Sequence, residues 1–519
     1  SSDLRDAVYL ADIPNLWRLP LDKSGATGRE ALATGFGVHV GVSGHDLHGL
    51  AMGPDGRLYM SIGDRGLHVT NREGRVLDLP DTGGVLRCEP DGSGLEIFCM
   101  GLRNPQELAF DDEGELWTVD NDTAGADPCR LLHLVRDGDH GWRCSYQHQE
   151  GFGPWVREEL WKGGKDNILP LAGTVSQGPS GLAFYPGTGL GEAWRGKFLH
   201  CDFPGGVWAF SVRRRGASFE VAGREKFLWD CWPTDVDFGP DGAVYVLDWV
   251  AGWGQPLKGR IYRITAAGPV AADEAARIAH VRQLLAEGMA RRSPKELLGL
   301  LGHADRRVRM DAQLEMARRG SSSVRPLSMV ATDPSASSLA RRHALWGIGQ
   351  VLRKATPSER GDACGDILPL LADPDGVVQG IAAELAGELG WPQADGLLAR
   401  LVERGTAPVQ FKAAMALGTL QGRAGPPSPD AARRATEAIR RGAGGRDLAG
   451  LVHMSGAVRP HLEATTALAT RAATNDPYLL HAVVRHWLKH EQSAGIQGVT
   501  AELRGRAADP NPSIRLAAT

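Results

Sequence analysis

No Cys-x-x-Cys pair occurs among the seven cysteines of this 519-residue chain. That absence removes zinc ribbons, thioredoxin-type redox centres and covalent haem attachment, so these residues are expected to hold no haem. No run of ~18 apolar residues occurs either, so no stretch has the pattern of a membrane-spanning helix. Charge of one sign is not in large excess: the formal net charge is −4. A basic footprint for nucleic acid is therefore missing, and no nucleic-acid partner is expected. A leader pattern is absent as well. The chain opens on Ser1 and reaches a strand pattern by Val8, as a piece cut from a longer chain would.

What is present is unevenly distributed. Residues 1–265 carry 26 Lys and Arg against 37 Asp and Glu, whereas residues 266–519 carry 32 against 25. Eleven of the 14 tryptophans and six of the seven cysteines lie before residue 266. Two domains of different architecture account for this best. The six early cysteines are compatible with one or two disulfides or with buried free thiols.

The first half repeats a phrase in which an apolar pair, a Gly/Asp turn and an aromatic-bearing strand follow one another. It reads Leu50-Ala-Met-Gly-Pro-Asp-Gly-Arg-Leu-Tyr59, then Leu108-Ala-Phe-Asp-Asp-Glu-Gly-Glu-Leu-Trp117, then Val236-Asp-Phe-Gly-Pro-Asp-Gly-Ala-Val-Tyr245, with a looser copy from Leu182. Gly-Pro-Asp-Gly supplies the φ > 0 position of a tight turn, and the alternation after it reads as a half-buried strand. Short strands recurring in one phrase point to a β-propeller rather than a sandwich. About five units are visible, as expected for a six-bladed type that lacks its first blade here. Residues 266–290 read as a linker and first helix, and 291–519 as an α-solenoid of HEAT type that is cut at its C-terminus. Its repeat is Asp305-x-x-Val308-Arg309 with Ala312, Asp375-x-x-Val378-Gln379 with Ala382, Val409-Gln410 with Ala413, and Asn511-x-x-Ile514-Arg515 with Ala518. The fold class is thus multidomain β + α, with the propeller at 1–265.

Candidate chemistry clusters in the first half. His45 and His48 precede a strand that ends near Asp64 and Arg65, which brings imidazole, carboxylate and guanidinium into one phrase suited to proton transfer on a polar substrate. Arg103, Asn104 and Gln106 crowd a second pre-strand loop. After that strand, Asp120, Asp122, Thr123 and Asp127 surround a glycine as a hard cation such as Ca²⁺ would require, or as an acidic turn with Asx caps would. Trp232, Trp249 and Trp253, with Asp235 and Asp248, close the last strand pair and suit a sugar ring or plain packing.

The order of Gly44-His-Asp-Leu-His-Gly49, Gly63-Asp-Arg-Gly66, the Arg103-Asn-Pro-Gln106 loop, Gly138-Asp-His-Gly-Trp142, Gly178-Pro-Ser-Gly181 and Thr234-Asp-Val-Asp-Phe-Gly239 resembles the quinoprotein sugar dehydrogenases. It resembles more closely the bacterial proteins known as membrane-bound dehydrogenases, which join such a propeller to HEAT repeats and often to a cytochrome c domain. The resemblance implies an exported oxidoreductase of the periplasm or cell envelope acting on a sugar or polyol. His45 would be the general base, with Asp64 and Arg103 beside it, and His48, Arg65, Trp232, Asp235, Asp248 and Trp253 would face substrate. Arg103, Asn104, Gln106 and Ser180 would contact pyrroloquinoline quinone, and the loop around Asp122 and Thr123 would hold Ca²⁺. The family's quinone-binding lysine and two arginines fall near Pro204 and on Trp232 and Thr234. The alternative reading is a propeller that binds a glycan or a protein without catalysis, with the solenoid as a scaffold for another protein.

Overall fold

The computed structural model describes residues 2–3, 6–38, 44–121, 129–143, 169–252, 257–422, 476–479, 481–483 and 485–486. Residues 1–214, 219–293 and 303–312 form one compact unit, and the remaining described residues form a second.

The repeated turn builds the first unit. Asp55 accepts the Tyr59 hydroxyl at 3.0 Å, Asp111 accepts the Trp117 indole N–H at 3.0 Å, and Asp241 accepts the Tyr245 hydroxyl at 3.0 Å. Each turn carboxylate is thereby tied to the aromatic residue of the strand that leaves the turn. Gly56, Gly114 and Gly242 follow those aspartates with φ of 76°, 80° and 77°, a left-handed geometry that fixes glycine there.

Five sheets stand as blades among the described residues. The first contains Ala7–Asp12, Asn15–Asp22 and Glu30–Thr34. The second contains Leu47–Met52, Leu58–Ile62, Gly83–Cys88 and Glu96–Leu102, with Gly138–Asp139 added in parallel on its outer edge. The third contains Ala109–Phe110, Leu116–Asp120 and Arg130–Leu134, and the fourth Pro179–Phe184, Lys197–Asp202, Gly205–Arg215 and Ser218–Cys231. Pro233–Phe238, Val244–Asp248 and Arg260–Ile264 make the fifth. The aromatics of the repeated phrase pack one blade on the next. Tyr59 meets Phe110 edge-on at 5.0 Å, Trp117 meets Phe198 at 5.7 Å and Phe219 at 4.9 Å, and Tyr185 meets Phe238 at 5.5 Å.

Because the first two strands of a blade are antiparallel, the start of the first and the end of the second share one end of the propeller. The connecting turns lie at the other end. There the helix Ala272–Glu287 and residues 303–312, which belong to the same unit, close over the turns. Arg306 donates to the Phe110 carbonyl, Arg307 to the Phe238 carbonyl at 2.8 Å, and Arg309 pairs with Asp112. Glu274 accepts from the Gly189 N–H at 2.7 Å.

The second unit is a helical solenoid, built around Ser338–Arg353, Gly376–Leu389 and Ala407–Gly422. Ser337 and Asp375 accept helix N–H groups as N-caps. The polar residue one turn further on reaches back to the end of the preceding helix: Arg341 to Ala331 O, Gln379 to Leu371 O and Gln410 to Val402 O, at 3.0, 2.8 and 2.7 Å. Ala344, Ala382 and Ala413 are buried at the crossings. The copy at Ser337 is absent from the repeat read in the sequence, because Ala340 stands where the other copies have a branched residue.

Six described cysteines, Cys88, Cys99, Cys129, Cys201, Cys231 and Cys364, are buried free thiols. Burial pushes the Cys88 thiol up to about 12, far from reactivity. Among the described residues no helix is long and apolar enough to cross a membrane.

Candidate functional site

A carboxylate recurs at the end of the second strand in four successive blades, and three of the copies do the same two things. One oxygen turns inward to the loop that enters the blade, and the other is held by a donor further out. Asp120 accepts the N–H groups of Arg103 and Asn104 at 3.1 and 2.8 Å, and its second oxygen takes Arg130 at 2.5 Å. Asp202 accepts from Gln177 and Gly178 N–H at 3.0 and 2.9 Å and from the Trp208 indole at 2.9 Å. Asp248 accepts from Trp232 and Val250 N–H at 2.9 and 3.1 Å and from the Tyr262 hydroxyl at 3.1 Å.

Asp64 is the copy that departs from this pattern. Its inward oxygen lies 2.7 Å from Nδ1 of His45, and its outer oxygen accepts the Trp142 indole N–H at 3.1 Å. A device that elsewhere caps backbone here holds an imidazole. A carboxylate accepts only, so in the neutral imidazole Nδ1 carries the proton and Nε2 keeps its lone pair. His45 and Asp64 are each 14 % exposed, open enough for a small substrate and dry enough for the pair to hold its geometry. The surroundings enforce this. A methyl group on Gly63 would stand 2.8 Å from the His45 carbonyl oxygen and 2.9 Å from its Cα. Any side chain there would displace the base.

The second loop packs against the first. A Cβ on Gly49, whose φ is 57°, would meet the Ser61 hydroxyl and the Gln106 carbonyl. Arg103 accepts the Asp64 N–H through its carbonyl at 2.7 Å and lays its guanidinium 5.7 Å over the Trp142 ring. Nε of Arg103, Oδ1 of Asn104 and Nε2 of His48 are buried without a hydrogen-bond partner. Burial, with His45 adjacent, lowers His48 to about 4, so it is neutral near pH 7 and donates or accepts without charge.

Across the same end, blades three to five are acidic and aromatic. Burial, followed by the charge of Asp235, pushes Glu107 up to about 8. Asp235 is raised by burial too. Asp235 lies against the backbone at Gly181, and the Ser180 hydroxyl donates to the Pro233 carbonyl at 3.1 Å. Trp232 stands edge-on to Phe203 at 5.2 Å.

The structure therefore brings His45, Asp64, Arg103, Asn104 and Gln106 together, with His48 near enough to feel the charge of His45. The hydrogen bonds described above reach both oxygens of Asp120 and of Asp248, so Asp120 anchors the Arg103 loop and Asp248 anchors Trp232. Ser180 likewise gives its proton to backbone. Asp122, Thr123, Asp127 and Trp253 lie outside the described residues. Among the described residues no three His, Cys, Asp or Glu side chains are placed to hold a metal ion. Sequence reasoning missed Trp142, Glu107 and Asp202. A signal for Asp202 was available, in that Asp120, Asp202 and Asp248 each close a strand of the repeated unit.

Residues 34–252 match the Glucose / Sorbosone dehydrogenase family profile. Quinoprotein glucose dehydrogenase B of Acinetobacter calcoaceticus is 28 % identical over 136 residues, covering 21 % of this chain and 28 % of that protein. The chain thus spans under a third of the length of that curated relative. Among solved structures, the PQQ-bound aldose sugar dehydrogenase of Streptomyces coelicolor is 18 % identical, with a TM-score of 0.33, over 50 % of this chain and 74 % of that one. The apo aldose sugar dehydrogenase of Escherichia coli gives 18 %, 0.34, 50 % and 76 %. On the family match and the curated relative, the propeller is similar to those of quinoprotein sugar dehydrogenases.

Proposed function

We propose that the propeller binds a sugar or polyol at the His45 end and begins its oxidation, with His45 taking the proton of a substrate hydroxyl. The observation that carries this is the Asp64 copy of the repeated carboxylate. In three copies the inner oxygen caps backbone, whereas in the fourth it orders an accessible imidazole whose Nε2 lone pair, in the neutral ring, can accept a proton. The unpartnered Arg103 Nε, Asn104 Oδ1 and His48 Nε2 supply both donors and acceptors, which suits a polyhydroxylated ligand.

Pyrroloquinoline quinone, which the likeness implies, carries three carboxylates, and the described residues do not fit it. Glu107 and Asp235 make the end acidic, and Trp232, Thr234 and Pro204 offer no cation to a polyanion. No step is drawn through the quinone or through calcium. The proton of the substrate hydroxyl goes to His45, and the hydride passes to a two-electron acceptor supplied from outside the protein, such as a neutral quinone. The reading includes export to the periplasm or cell envelope, with the helical unit as a platform for another protein such as a cytochrome c domain of the parent chain.

Turnover tests this. The full chain is assayed for reduction of a neutral quinone or a phenazinium dye with a panel of aldoses and polyols, with and without added pyrroloquinoline quinone. Turnover that falls at least a hundredfold in His45→Gln supports the proposal. Glycan binding with no turnover in either protein would instead favour the non-catalytic reading, to which the Trp232–Phe203 wall lends weight.

A further inference from the structure

We infer that Trp142 is a positioning residue for His45: its indole N–H holds the outer oxygen of Asp64 and so fixes both the orientation and the charge that Asp64 presents to the imidazole. This rests on the reading of His45 as the base. Trp142 is wholly buried, and its backbone is pinned on both sides. Its N–H donates to Gly101 O at 3.0 Å, and its carbonyl accepts the Thr82 hydroxyl at 2.7 Å. The indole therefore has a fixed place, and the 3.1 Å bond to Asp64 transmits it.

Comparison among the four carboxylates gives the physical reason for an indole here. Asp120 shares its outer oxygen with Arg130, a buried cation that neutralises it. A carboxylate neutralised in this way is a good anchor for backbone N–H groups and a poor partner for an imidazole that must acquire positive charge. Trp142 donates one hydrogen bond and no charge. Asp64 is held as firmly as its relatives, yet its negative charge remains available to an imidazolium at His45. The same ring carries the Arg103 guanidinium on its face at 5.7 Å, so one side chain sets the spacing of base and cation.

Trp208→Phe supplies the control, because it deletes the equivalent indole–carboxylate bond at Asp202, where the carboxylate serves only backbone. Full-length wild type, Trp142→Phe and Trp208→Phe are compared by urea unfolding, by turnover, and by ¹⁵N chemical shifts of the histidine rings, with His45 assigned from its absence in His45→Gln. Both variants should lose similar stability. Only Trp142→Phe should convert His45 from a pure Nδ1–H tautomer to a mixture and lower kcat about tenfold, with KM little changed. An unchanged His45 tautomer in Trp142→Phe, or an equal change in both variants, overturns the inference. A wild-type His45 protonated on Nε2 would instead sink the reading of His45 as base, so the two failures are distinct. Should Trp142→Phe not fold, the Trp142 indole N–H resonance is followed in Asp64→Asn. An upfield shift of the indole proton supports the bond, and no shift refutes it.

Discussion

Glu107→Gln should make the propeller more stable in alkali and leave it unchanged in acid. Glu107 sits where blade three meets the acidic end of the propeller, pushed up to about 8 from an ordinary 4.5 by burial and then by Asp235. The folded state therefore keeps a proton that the unfolded chain loses. Such a group contributes its full stability below pH 4.5, loses it as pH rises toward 8, and is flat above that. The slope is at most about 1.4 kcal/mol per pH unit. Taken over the whole window this would reach about 5 kcal/mol, but the side chain is only partly covered, and solvent screening brings the expected penalty to about 2 kcal/mol. Glutamine has the same volume, still accepts the Leu108 N–H that Oε1 accepts at 3.2 Å, and cannot ionise. Urea unfolding of the full chain is followed by tryptophan fluorescence, which reports mostly on the propeller because 11 of 14 tryptophans precede residue 266. The variant minus wild-type difference should be near zero at pH 5 and rise to about +2 kcal/mol by pH 8–9. Parallel pH curves for the two proteins would refute the burial argument, and with it the acidic character assigned to this end.

Three further outcomes follow from the same geometry. Gly63→Ala should abolish any turnover by pushing His45 off Asp64, at a cost of about 1–3 kcal/mol in stability, checked by kinetics alongside urea unfolding. Arg130→Met leaves the Asp120 charge buried and unpaired, so it should cost about 3–5 kcal/mol, whereas the double variant with Asp120→Asn should recover part of that loss in a thermodynamic cycle. Asp375→Ala removes an N-cap that accepts two helix N–H groups, and circular dichroism should show a loss of about 1 kcal/mol confined to the helical transition.

Much of this was legible in the chain because it is local or periodic. The Gly-x-Asp-Gly turn, the aromatic one strand later and the Asp-x-x-Val helix caps are short-range devices, and they specified a propeller followed by a helical solenoid before any contact was known. The proximity of His45 to Asp64 was legible only as an order of residues. Roles settled by partners distant in sequence were not legible. Asp64 and Asp120 read alike as strand-end acids, but one meets an imidazole and the other an arginine ten residues on. Trp142 stands 78 residues from the carboxylate it holds. The acidity of the end formed by Glu107 and Asp235 depends on burial, which no composition reports. The sequence by itself determined the repeating strand, turn and cap chemistry, since those forces act within a few residues. Only the tertiary structure decided which of four equivalent carboxylates stands beside an imidazole, because that depends on which group the loop entering each blade brings to its inner oxygen.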